Sequence, residues 1–457
     1  MKIVHVLTRL LRGGSEENTL ACCLAQAGHG HEVLLVHGKE YDPGLRASVA
    51  GALRVVTLED LINPISPSRD ISAFRQLTRL MRVWRPDIVH THQSKAGIIG
   101  RLAAEQANIP GIVHGVHILP FVHVSNTQRL IFLAAERLAA RCTRAFIDVS
   151  QAMRDICVAN HLGGPDQHHV VHSGFDLVRF ANAQWPEEPH LLLGTAAGEP
   201  KPPVVLMLAA LEPRKRHIEF IEAFGQVVDR IPNVRLLLAG EGPARSAVAS
   251  AIERSPFAKN VRMIGYHGEP EKLISLADVC VLTSMREGLP RVVMQYLAGG
   301  RPCVVSHLPG VEEVVTHGVN GIVTPVDNVS AAAASVADLL ENERYRARLA
   351  DGARLTDLSS WGLDAMCDRV ETIYRSVQAS ALSAARPNVT RGILGGAAKR
   401  ASPLHRPIST GRFLQADRPH VLGRGAVNGP QGFSANKDLP WRPDQKVSIE
   451  PGVRRTN

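Results

Sequence analysis

Short apolar segments alternate with amphipathic helical patterns along most of this chain, and the alternation runs through two successive stretches. In the first stretch, the candidate helices lie near residues 16–27, 71–84, 96–107, 127–142 and 151–160. The candidate strands between them are Ile3–Leu7, Val33–His37, Asp87–His90, Ile112–Val116, Ala145–Val149 and Val170–His172. This strand–helix–strand rhythm predicts a parallel, doubly wound sheet with helices on both faces.

The rhythm stops at residues 181–203, which are rich in proline and have no periodicity, and then resumes. The second set of candidate strands is Val204–Leu208, Val234–Ala239, Val261–Ile264, Val279–Thr283, Pro302–Val305 and Gly321–Thr324. The helices between them are expected near 217–230, 244–254, 270–277, 291–298, 310–316 and 330–341. We therefore predict an α/β protein in which two Rossmann-like domains face a central cleft, the default ligand site of such a pair.

The predicted domain boundaries follow from these patterns. The N-terminal domain covers residues 1–180 and a linker covers 181–203. The second domain covers 204–358, and a closing helix covers 359–382. The last stretch, 383–457, contains 8 Pro and 9 Gly without an apolar period, and we expect it to be disordered.

The net charge of +9 first suggests a polyanionic partner, but its position removes that inference for the folded body. Residues 383–457 hold 13 of the 52 Lys and Arg and 4 of the 43 Asp and Glu, which leaves 39 of each sign for residues 1–382. A neutral body without zinc-finger spacing or RNA-binding aromatic motifs argues against a nucleic-acid enzyme. We expect no nucleic-acid partner for the body.

Cysteine usage and hydropathy indicate the compartment. The seven cysteines are odd in number and scattered among apolar residues, which favours free thiols in a reducing compartment. The longest apolar run, Val204–Leu211, is far shorter than the ~20 residues of a membrane helix, and no signal-peptide pattern follows the first residues. We expect a cytoplasmic protein.

The first strand leads into a glycine-rich turn with Gly13 and Gly14, and a helix follows. Two glycines at such a turn let the backbone approach a ligand, and the helix N-terminus offers free N–H groups to an anion. The alternative interpretation is an ordinary tight turn in which Ser15 caps the helix. The motif alone leaves both interpretations open.

The strongest chemical signal follows the strand Val279–Thr283. Glu287 and Gly288 stand at its carboxyl end, just before a helix that contains Gln295. Helix N-termini at this edge of a parallel sheet suit a diphosphate. Lys215, flanked by Arg214 and Arg216 after the strand Val204–Leu208, is the natural counter-charge for the same phosphate groups.

With these residues in place, the chain resembles the retaining, GT-B-fold nucleotide-sugar glycosyltransferases of family 4, or group 1, over about residues 2–375. Seven segments occur in the order of that family. They are the Gly13–Gly14 turn with the "HGHEV" segment, "RPDIVHTHQSKAG" (85–97), "VHGVH" (113–117), "VVHSGFD" (170–176), "LEPRKR" (211–216), "LLLAGEGP" (236–243) and "EGLPRVVMQ" (287–295).

The resemblance implies roles for individual residues. The residues implied to act in catalysis are Lys215 on the donor diphosphate, Glu287 on the donor sugar and His117 facing that sugar. The residues implied to bind the donor are Gly13, Gly14, Arg214, Gly288, Leu289 and Gln295. No metal or other cofactor is implied, because a lysine and helix N-termini can stabilise a leaving nucleoside diphosphate.

The chain departs from the family pattern at three positions. Gln295 stands where the family has a second Glu that is assigned to the ribose hydroxyls. Because an amide can still donate to and accept from a diol, we expect altered donor affinity before loss of activity. Ala210 stands where the family tends to have an Arg, so the phosphate clamp lacks one charge unless Arg214 or Arg216 supplies it. Ser173 replaces the usual Asn.

Histidines cluster at His90 and His92, at His114, His117 and His123, and at His168, His169 and His172. We expect such alternating histidines to point to different faces of the sheet, and no carboxylate recurs at matching spacing. The sequence therefore predicts no metal site.

Two candidate helices carry arginines on one face. These arginines are Arg75, Arg79, Arg82 and Arg85 on one helix, and Arg129, Arg137, Arg141 and Arg144 on the other. A solvated surface is one interpretation. The other is peripheral docking on the inner, anionic face of the cell membrane, where a lipid-linked acceptor would be found.

Together these observations predict a retaining, metal-independent glycosyltransferase. It would move a sugar from a nucleoside-diphosphate sugar to a glycan or lipid-linked acceptor, in the synthesis of a cell-surface polysaccharide or glycoconjugate. Two alternatives remain open at this point: a nucleotide-sugar epimerase of the same fold, which needs no acceptor, and a catalytically inactive binding protein.

Overall fold

The computed structural model describes residues 1–122 and 124–385. Within them, thirteen strands form two parallel sheets. The strands are β1 (Lys2–Leu7), β2 (Glu32–Gly38), β3 (Arg54–Leu58), β4 (Ile88–His92), β5 (Gly111–Val116), β6 (Ala145–Asp148), β7 (His168–Val170), β8 (Val204–Leu208), β9 (Arg235–Ala239), β10 (Val261–Gly265), β11 (Val279–Leu282), β12 (Cys303–Ser306) and β13 (Gly321–Thr324).

Helices cover both sheets. They are α1 (Gly14–Gly28), α2 (Pro43–Val49), α3 (Pro67–Trp84), α4 (Ser94–Gln106), α5 (Asn126–Ala140), α6 (Gln151–Ala159), α7 (Leu177–Ala181), α8 (Pro189–Leu193), α9 (His217–Arg230), α10 (Arg245–Arg254), α11 (Pro270–Leu276), α12 (Arg291–Ala298), α13 (Val329–Glu341), α14 (Glu343–Leu355) and α15 (Leu363–Ala385). Short 3₁₀ turns lie at Pro165–Gln167, Pro213–Lys215, Ala258–Asn260, Val311–Glu313 and Ser359–Trp361.

The first sheet has the order β3-β2-β1-β4-β5-β6-β7, and it defines the N-terminal half of the protein. Its central strands are buried on both faces, which explains their nearly continuous apolar sequences. The edge strand β3 was not predicted, because its five residues include an exposed Arg54 and are mostly half-buried. The last strand lies at His168–Val170, two residues earlier than its predicted position.

The second sheet has the order β10-β9-β8-β11-β12-β13, and it defines the C-terminal half. All six strands that the sequence predicts for this half are present. The helix predicted near residues 310–316 is only the 3₁₀ turn Val311–Glu313. The predicted α/β architecture of two Rossmann-like sheets is thus confirmed, and in both sheets the order reverses beside the first strand of the half, where α/β sheets bind ligands.

Helices connect the halves and close the body. The short helix α7 packs on α11 and α12 of the C-terminal half, and α15 returns to pack against α1, β5 and β6 of the N-terminal half. The predicted closing helix at 359–382 overlaps α15, and α8 lies within the predicted linker. The predicted disordered tail from residue 383 lies outside the described residues, apart from the last turn of α15.

One hydrophobic cluster crosses the interface between the halves. It contains Leu119, Phe121 and Met153 from the N-terminal half together with Leu289 and Met294 from the C-terminal half. Shared burial of these side chains fixes the two sheets around one cleft. Among the described residues, we find no helix with the length and apolar character needed to cross a membrane.

Candidate functional site

The site lies at the carboxyl ends of β8 and β11, where two turns of the C-terminal half are tied together. Lys215 ends the 3₁₀ turn after β8, and the Thr283 hydroxyl donates a hydrogen bond to its carbonyl oxygen over 3.2 Å. The Met285 amide donates to the Arg214 carbonyl over 2.8 Å. These bonds hold the Lys215 turn beside the segment that carries Glu287.

Three charged side chains meet at this point. The Glu287 carboxylate accepts a hydrogen bond from Lys215 Nζ on Oε1, and Arg214 Nη1 lies 2.8 Å from Oε2. Arg214 Nε also donates to Glu212 Oε2 over 2.6 Å. The side chains of Lys215 and Glu287 are only 11% and 12% exposed, so the pair is strongly shielded from water.

The pKa values of Glu287 and Arg214 favour their charged forms. Burial alone would raise the pKa of Glu287, but Lys215 and Arg214 outweigh it and hold that pKa below its usual value. Burial would lower the pKa of Arg214, whereas Glu287 and Glu212 raise it. The contacts within the cluster therefore keep Glu287 and Arg214 charged.

Other members of the predicted donor set lie nearby. A side chain at Gly288 would have its Cβ only 2.2 Å from the His117 carbonyl oxygen, so this glycine marks a close backbone approach between the halves. Leu289 is buried in the shared hydrophobic cluster. Gln295 is also buried, on α12.

The helix that carries Gln295 is anchored to the sheet. The Tyr296 hydroxyl accepts a hydrogen bond from the Leu208 amide over 3.0 Å and lies 3.4 Å from the Val281 carbonyl. These contacts join α12 to β8 and β11 at the end where Lys215 and Glu287 are found. The first turn of α12 is thereby fixed at the cleft.

The glycine-rich turn reaches the same helix from the N-terminal half. A Cβ at Gly14 would lie 3.9 Å from Nε of Arg291, the first residue of α12, and Arg291 pairs with Glu17 and lies 3.4 Å from Asn18 Oδ1. Ser15 does not cap α1; Gly13 is its N-cap residue. A Cβ at Gly13 would lie 2.9 Å from Glu16 Oε2, so the turn has little free space.

Glu16 fills the start of α1. Its carboxylate accepts hydrogen bonds from the Ser15 hydroxyl over 2.6 Å and from Gln93 Nε2 over 2.9 Å. Burial raises the pKa of Glu16 despite these bonds. Glu16 and its two donors therefore occupy the start of α1, beside the Gly13–Gly14 turn.

The two arginines that flank Lys215 differ in their contacts. Arg216 Nη1 donates to the Val326 carbonyl, and its Nε lies 3.5 Å from Glu219. Arg214 contacts Glu287, so of the two it is the one that belongs to the charged cluster.

A chain of buried histidines lines the N-terminal side of the cleft. His117 Nε2 lies 3.1 Å from His92 Nδ1, His92 Nε2 lies 3.1 Å from His5 Nδ1, and His5 Nε2 lies 2.9 Å from Gln26 Oε1. Because the Gln26 oxygen accepts from His5, each ring in turn accepts at one nitrogen and donates at the other. His117 then presents its unprotonated Nδ1 as a hydrogen-bond acceptor.

These histidines are neutral. Burial lowers the pKa of His117 to about 4, and it lowers the pKa of His5 to about 4 although Gln26 opposes the shift. The pKa of His92 is lowered well below its usual value, first by burial and then by its neighbouring histidines. The N-terminal side of the cleft is thus polar without being charged.

His90 belongs to the same cluster, and here the expectation that the histidines face different sides of the sheet is wrong. His90 and His92 are two residues apart on one strand, so both point to one face, and their rings are 4.0 Å apart. The His90 Nδ1 lies 2.5 Å from the Tyr374 hydroxyl of α15. Its Nε2 is buried and has no partner among the described residues.

His5, His90 and His92 bring ring nitrogens within 4.8 Å of one another, a spacing that a metal ion could bridge. Burial lowers the pKa of all three rings, which keeps them in the neutral form. Among the described residues, no carboxylate is hydrogen-bonded to any of them. A hydrogen-bonded network accounts for their arrangement without a metal ion.

The sequence did not predict several residues of the site. Arg291 and Arg286 both bridge to the N-terminal half, Arg286 through a hydrogen bond from its Nη1 to the Val122 carbonyl over 3.3 Å. Gln26 and His5 support His117 from inside the sheet. No spacing rule indicates such contacts, because the partners lie up to 274 residues apart in the chain.

Comparison with known families agrees with this architecture. The family model described as "Glycosyltransferase Family 4" matches residues 12–179, which belong to the N-terminal half. The model described as "Glycosyl transferases group 1" matches residues 196–356, which form most of the C-terminal half and include Lys215 and Glu287. The two matches together span most of the described residues.

Curated relatives and solved structures extend the match. An Escherichia coli UDP-Gal:α-D-GlcNAc-diphosphoundecaprenol α-1,3-galactosyltransferase is 26% identical over 344 residues, 72% of this chain and 86% of that protein. The capsular polysaccharide biosynthesis glycosyltransferase CapM of Staphylococcus aureus is 21% identical over 333 residues, 69% of this chain and 85% of that protein.

Among solved structures, HepE of Anabaena in complex with UDP superposes with a TM-score of 0.67 and 22% identity over 82% of this chain and all of that chain. This likeness concerns the fold. The facing parallel sheets and the two family matches lead to one assignment: the chain belongs to the group 1, family 4 glycosyltransferases, with a GT-B fold.

Proposed function

We propose that this glycosyltransferase moves a sugar from a nucleoside-diphosphate sugar to a glycan or lipid-linked acceptor, with retention of the anomeric configuration and without a metal ion. The observation that carries the proposal is the buried cluster of Lys215, Arg214 and Glu287 at the carboxyl ends of β8 and β11. Two cations in a water-poor site suit the diphosphate that leaves during transfer.

In this proposal the cluster rearranges when the donor binds. Without donor, Glu287 pairs with both Lys215 and Arg214. A bound diphosphate supplies negative charge in its place, so Lys215 and Arg214 pair with phosphate oxygens and Glu287 becomes free to accept hydrogen bonds from the sugar hydroxyls. The lysine then stabilises the charge that develops on the departing nucleoside diphosphate.

The remaining predicted residues complete the donor site. The amides of Gly288 and Leu289, next to the first turn of α12, bind the diphosphate from one side, and the Gly13–Gly14 turn approaches it from the other. Gln295, which is buried on α12 behind this turn, takes the nucleoside ribose. His117 accepts a hydrogen bond from a sugar hydroxyl through its unprotonated Nδ1.

The two halves have separate tasks in this proposal. Residues 204–358 hold the nucleotide, residues 1–180 take the acceptor, and the segment 181–203 links them. The relative from Escherichia coli is named for UDP-galactose and a diphosphate-linked lipid acceptor, and HepE was solved with UDP. UDP-sugars and lipid-diphosphate glycans are therefore the first substrates to test.

The testing experiment is a nucleotide-release assay on the full chain with UDP-, GDP- and ADP-sugars, with and without acceptor. A preceding thermal-shift screen selects the donor, because a ligand at 100 times its Kd stabilises by about 2.7 kcal/mol. We expect acceptor-dependent nucleotide release and a product with the anomeric configuration of the donor, read by NMR. Conversion of donor alone would indicate the epimerase, and an inverted product would contradict retention.

Metal independence needs its own measurement. We expect the same transfer rate after dialysis against EDTA and with added Mg²⁺ or Mn²⁺, because Lys215 and Arg214 supply the positive charge. A rate that falls at least tenfold on chelation and recovers with one of these ions would overturn this part of the proposal.

We also propose that α5 rests on the inner face of an anionic membrane. Its outward stripe exposes Leu130, Ile131 and Leu138, which are 71%, 56% and 50% exposed, and Arg137 and Arg141 extend the same surface. Exposed apolar side chains beside arginines on one helix are typical of interfacial helices. This location would bring the cleft to a lipid-linked acceptor.

Vesicle flotation tests this contact. The double variant Leu130→Ser/Ile131→Ser should lose binding to vesicles of phosphatidylglycerol and phosphatidylcholine, whereas the control Leu355→Ser, at an apolar residue that is 84% exposed on α14, should bind like the wild type. Equal flotation of both variants would contradict the assignment of α5.

A further inference from the structure

Arg286 stands between the charged cluster and the N-terminal half. It directly precedes Glu287, and its Nη1 reaches across to the Val122 carbonyl, 3.3 Å away. Its Nε is buried and has no hydrogen-bond partner, and no carboxylate pairs with the guanidinium within the described residues. One long hydrogen bond is little compensation for a partly buried charge.

The charges around Arg286 do not balance. Arg214, Lys215 and Arg286 contribute three positive charges, whereas Glu212 and Glu287 contribute two negative ones. Both carboxylates are already engaged, Glu212 with Arg214 and Glu287 with Arg214 and Lys215. The remaining positive charge belongs to Arg286.

The pKa of Arg286 agrees with this excess of positive charge. The pKa of Arg286 is lowered, first by burial and then by the charge of Arg214, and the two glutamates do not offset this. The neighbouring Arg214 has its pKa raised by the same glutamates. The surroundings of Arg286 therefore disfavour its charge, and groups with shifted pKa values cluster at functional sites.

We propose that Arg286 binds a phosphate group of a substrate in the cleft. This inference rests on the proposed function, and it assigns the phosphate contact to a residue outside the set of Lys215, Arg214 and Glu287. A guanidinium matches the geometry of phosphate oxygens through parallel N–H bonds, and Arg286 has donor capacity left because its Nε has no partner and its Nη1 has only one long bond among the described residues.

Two substrates contain such a group: the donor, through its diphosphate, and a lipid-linked acceptor, through the phosphate that joins sugar and lipid. The position of Arg286 favours the acceptor. Val122 lies in the segment that leaves β5 and leads to α5, the helix with the exposed apolar stripe. A phosphate between a lipid at α5 and a sugar in the cleft would pass this segment.

Calorimetry on the full-length protein tests the inference without requiring turnover. The probes are UDP alone, then octyl phosphate in the presence of saturating UDP, with octyl glucoside as a neutral probe of the same chain length. The variants are Arg286→Gln and, as a matched loss of one arginine charge, Arg230→Gln on the surface of α9. Arg286→Lys reports whether charge alone is sufficient.

We expect Arg286→Gln to weaken octyl phosphate binding on the order of 10- to 100-fold, the range for losing a hydrogen bond to a charged group, and to leave UDP binding within about twofold. Octyl glucoside binding should not change, and Arg230→Gln should match the wild type for every probe. A tenfold loss of UDP binding instead would place the donor phosphate on Arg286. Unchanged binding of both UDP and octyl phosphate would overturn the inference.

Stability separates binding from a structural role. Removing an uncompensated buried charge should leave the melting temperature of Arg286→Gln unchanged or higher, whereas a purely structural bond to Val122 would lower it. A protein that binds octyl phosphate through Arg286 yet transfers no sugar would show that the proposed function is wrong and the Arg286 assignment is right. A protein that transfers sugar but binds octyl phosphate equally well with and without Arg286 would show that the proposed function is right and the Arg286 assignment is wrong.

Discussion

The two halves have the same parallel α/β architecture, but they present opposite chemistry to the cleft. The C-terminal half contributes Lys215, Arg214 and Glu287, and Lys215 and Arg214 lower the pKa of Glu287 so that it stays charged. The N-terminal half contributes the histidine chain that ends at His117, whose pKa is lowered to about 4, so that it stays neutral. One architecture thus provides a charged wall and a neutral wall.

The difference has a simple electrostatic origin. Where a buried group has an opposite charge within hydrogen-bond distance, the attraction outweighs desolvation and the ions persist. Where buried groups have only neutral partners, as along His117, His92 and His5, desolvation removes the proton. The charged wall suits a diphosphate and the neutral wall suits hydroxyl groups, which matches the two parts of a nucleotide sugar.

The largest expected effect comes from removing a positive charge from the charged wall. Lys215→Met should lower kcat about 10²- to 10³-fold, which corresponds to about 2.7–4 kcal/mol of lost stabilisation of the developing charge. Steady-state transfer assays measure it. The double variant Lys215→Met/Glu287→Gln serves as the control for folding, because it removes both charges of the Lys215–Glu287 pair instead of one. A kcat within threefold of the wild type would contradict the role of Lys215.

The next largest effect concerns the neutral wall, whose histidines should make the stability of the folded protein fall in acid. His5 and His117 have folded-state pKa values of about 4 against an ordinary value of 6.5. The unfolded chain therefore binds protons that the folded chain does not, and stability falls as the pH drops from about 6.5 to about 4. Each histidine contributes at most about 1.4 kcal/mol per pH unit, and above pH 6.5 the effect vanishes.

Denaturant titrations between pH 4 and 8 test this dependence. His5→Gln should make the acid slope shallower, whereas the control His307→Gln, at an exposed residue, should leave it unchanged. A wild-type stability that stays flat across this range would show that the histidines do not stay neutral in the folded protein.

A smaller effect comes from the contact that joins the two walls. Gly288→Ala places a Cβ 2.2 Å from the His117 carbonyl oxygen, so the halves must separate locally at a cost of about 1–3 kcal/mol. The melting temperature and the transfer rate should both fall. Gly51→Ala is the matched control, because nothing lies within 4 Å of the added methyl group. Equal melting temperatures for the two variants would argue against this close approach.

The smallest effect sharpens the charge difference between the walls. Gln295→Glu would add a carboxylate on the charged wall and replace a neutral hydrogen bond to the donor by a charge-assisted one, a gain of about 1 kcal/mol or about fivefold in affinity. Calorimetry with the donor nucleotide measures it, and Gln295→Leu should weaken binding. If all three proteins bound the nucleotide equally, Gln295 would not contact it.

The sequence predicted the fold well where local pattern and burial agree. Twelve of the thirteen strands follow from short apolar runs, because strands inside a parallel sheet are buried on both faces. The edge strand β3 lacks this signal, because most of its residues are only half-buried and its first residue, Arg54, is exposed. The apolar spacing around Val311–Glu313 resembles that of a helix, but the segment forms only a 3₁₀ turn of three residues.

The residues of the site also fall into those that the sequence predicted and those that it did not. Lys215, Glu287, Gly288 and Gln295 lie at strand ends or on the following helix, where the order of elements alone indicates a ligand edge. The histidine faces were misjudged, although the spacing of His90 and His92 already indicated a shared face. Arg286 had no signal at all, because its significance depends on which partners it lacks.

The sequence by itself determined the two α/β halves, their family, and the residues that stand at the ends of β8 and β11. Periodicity and chain order are local properties, and they survive without knowledge of the partner surface. Only the tertiary structure decided which groups are charged, because a pKa depends on burial and on neighbours that are distant in the chain. It brought His117 against Gly288, gave Glu287 two cations, and left Arg286 without a carboxylate partner among the residues that the structure describes.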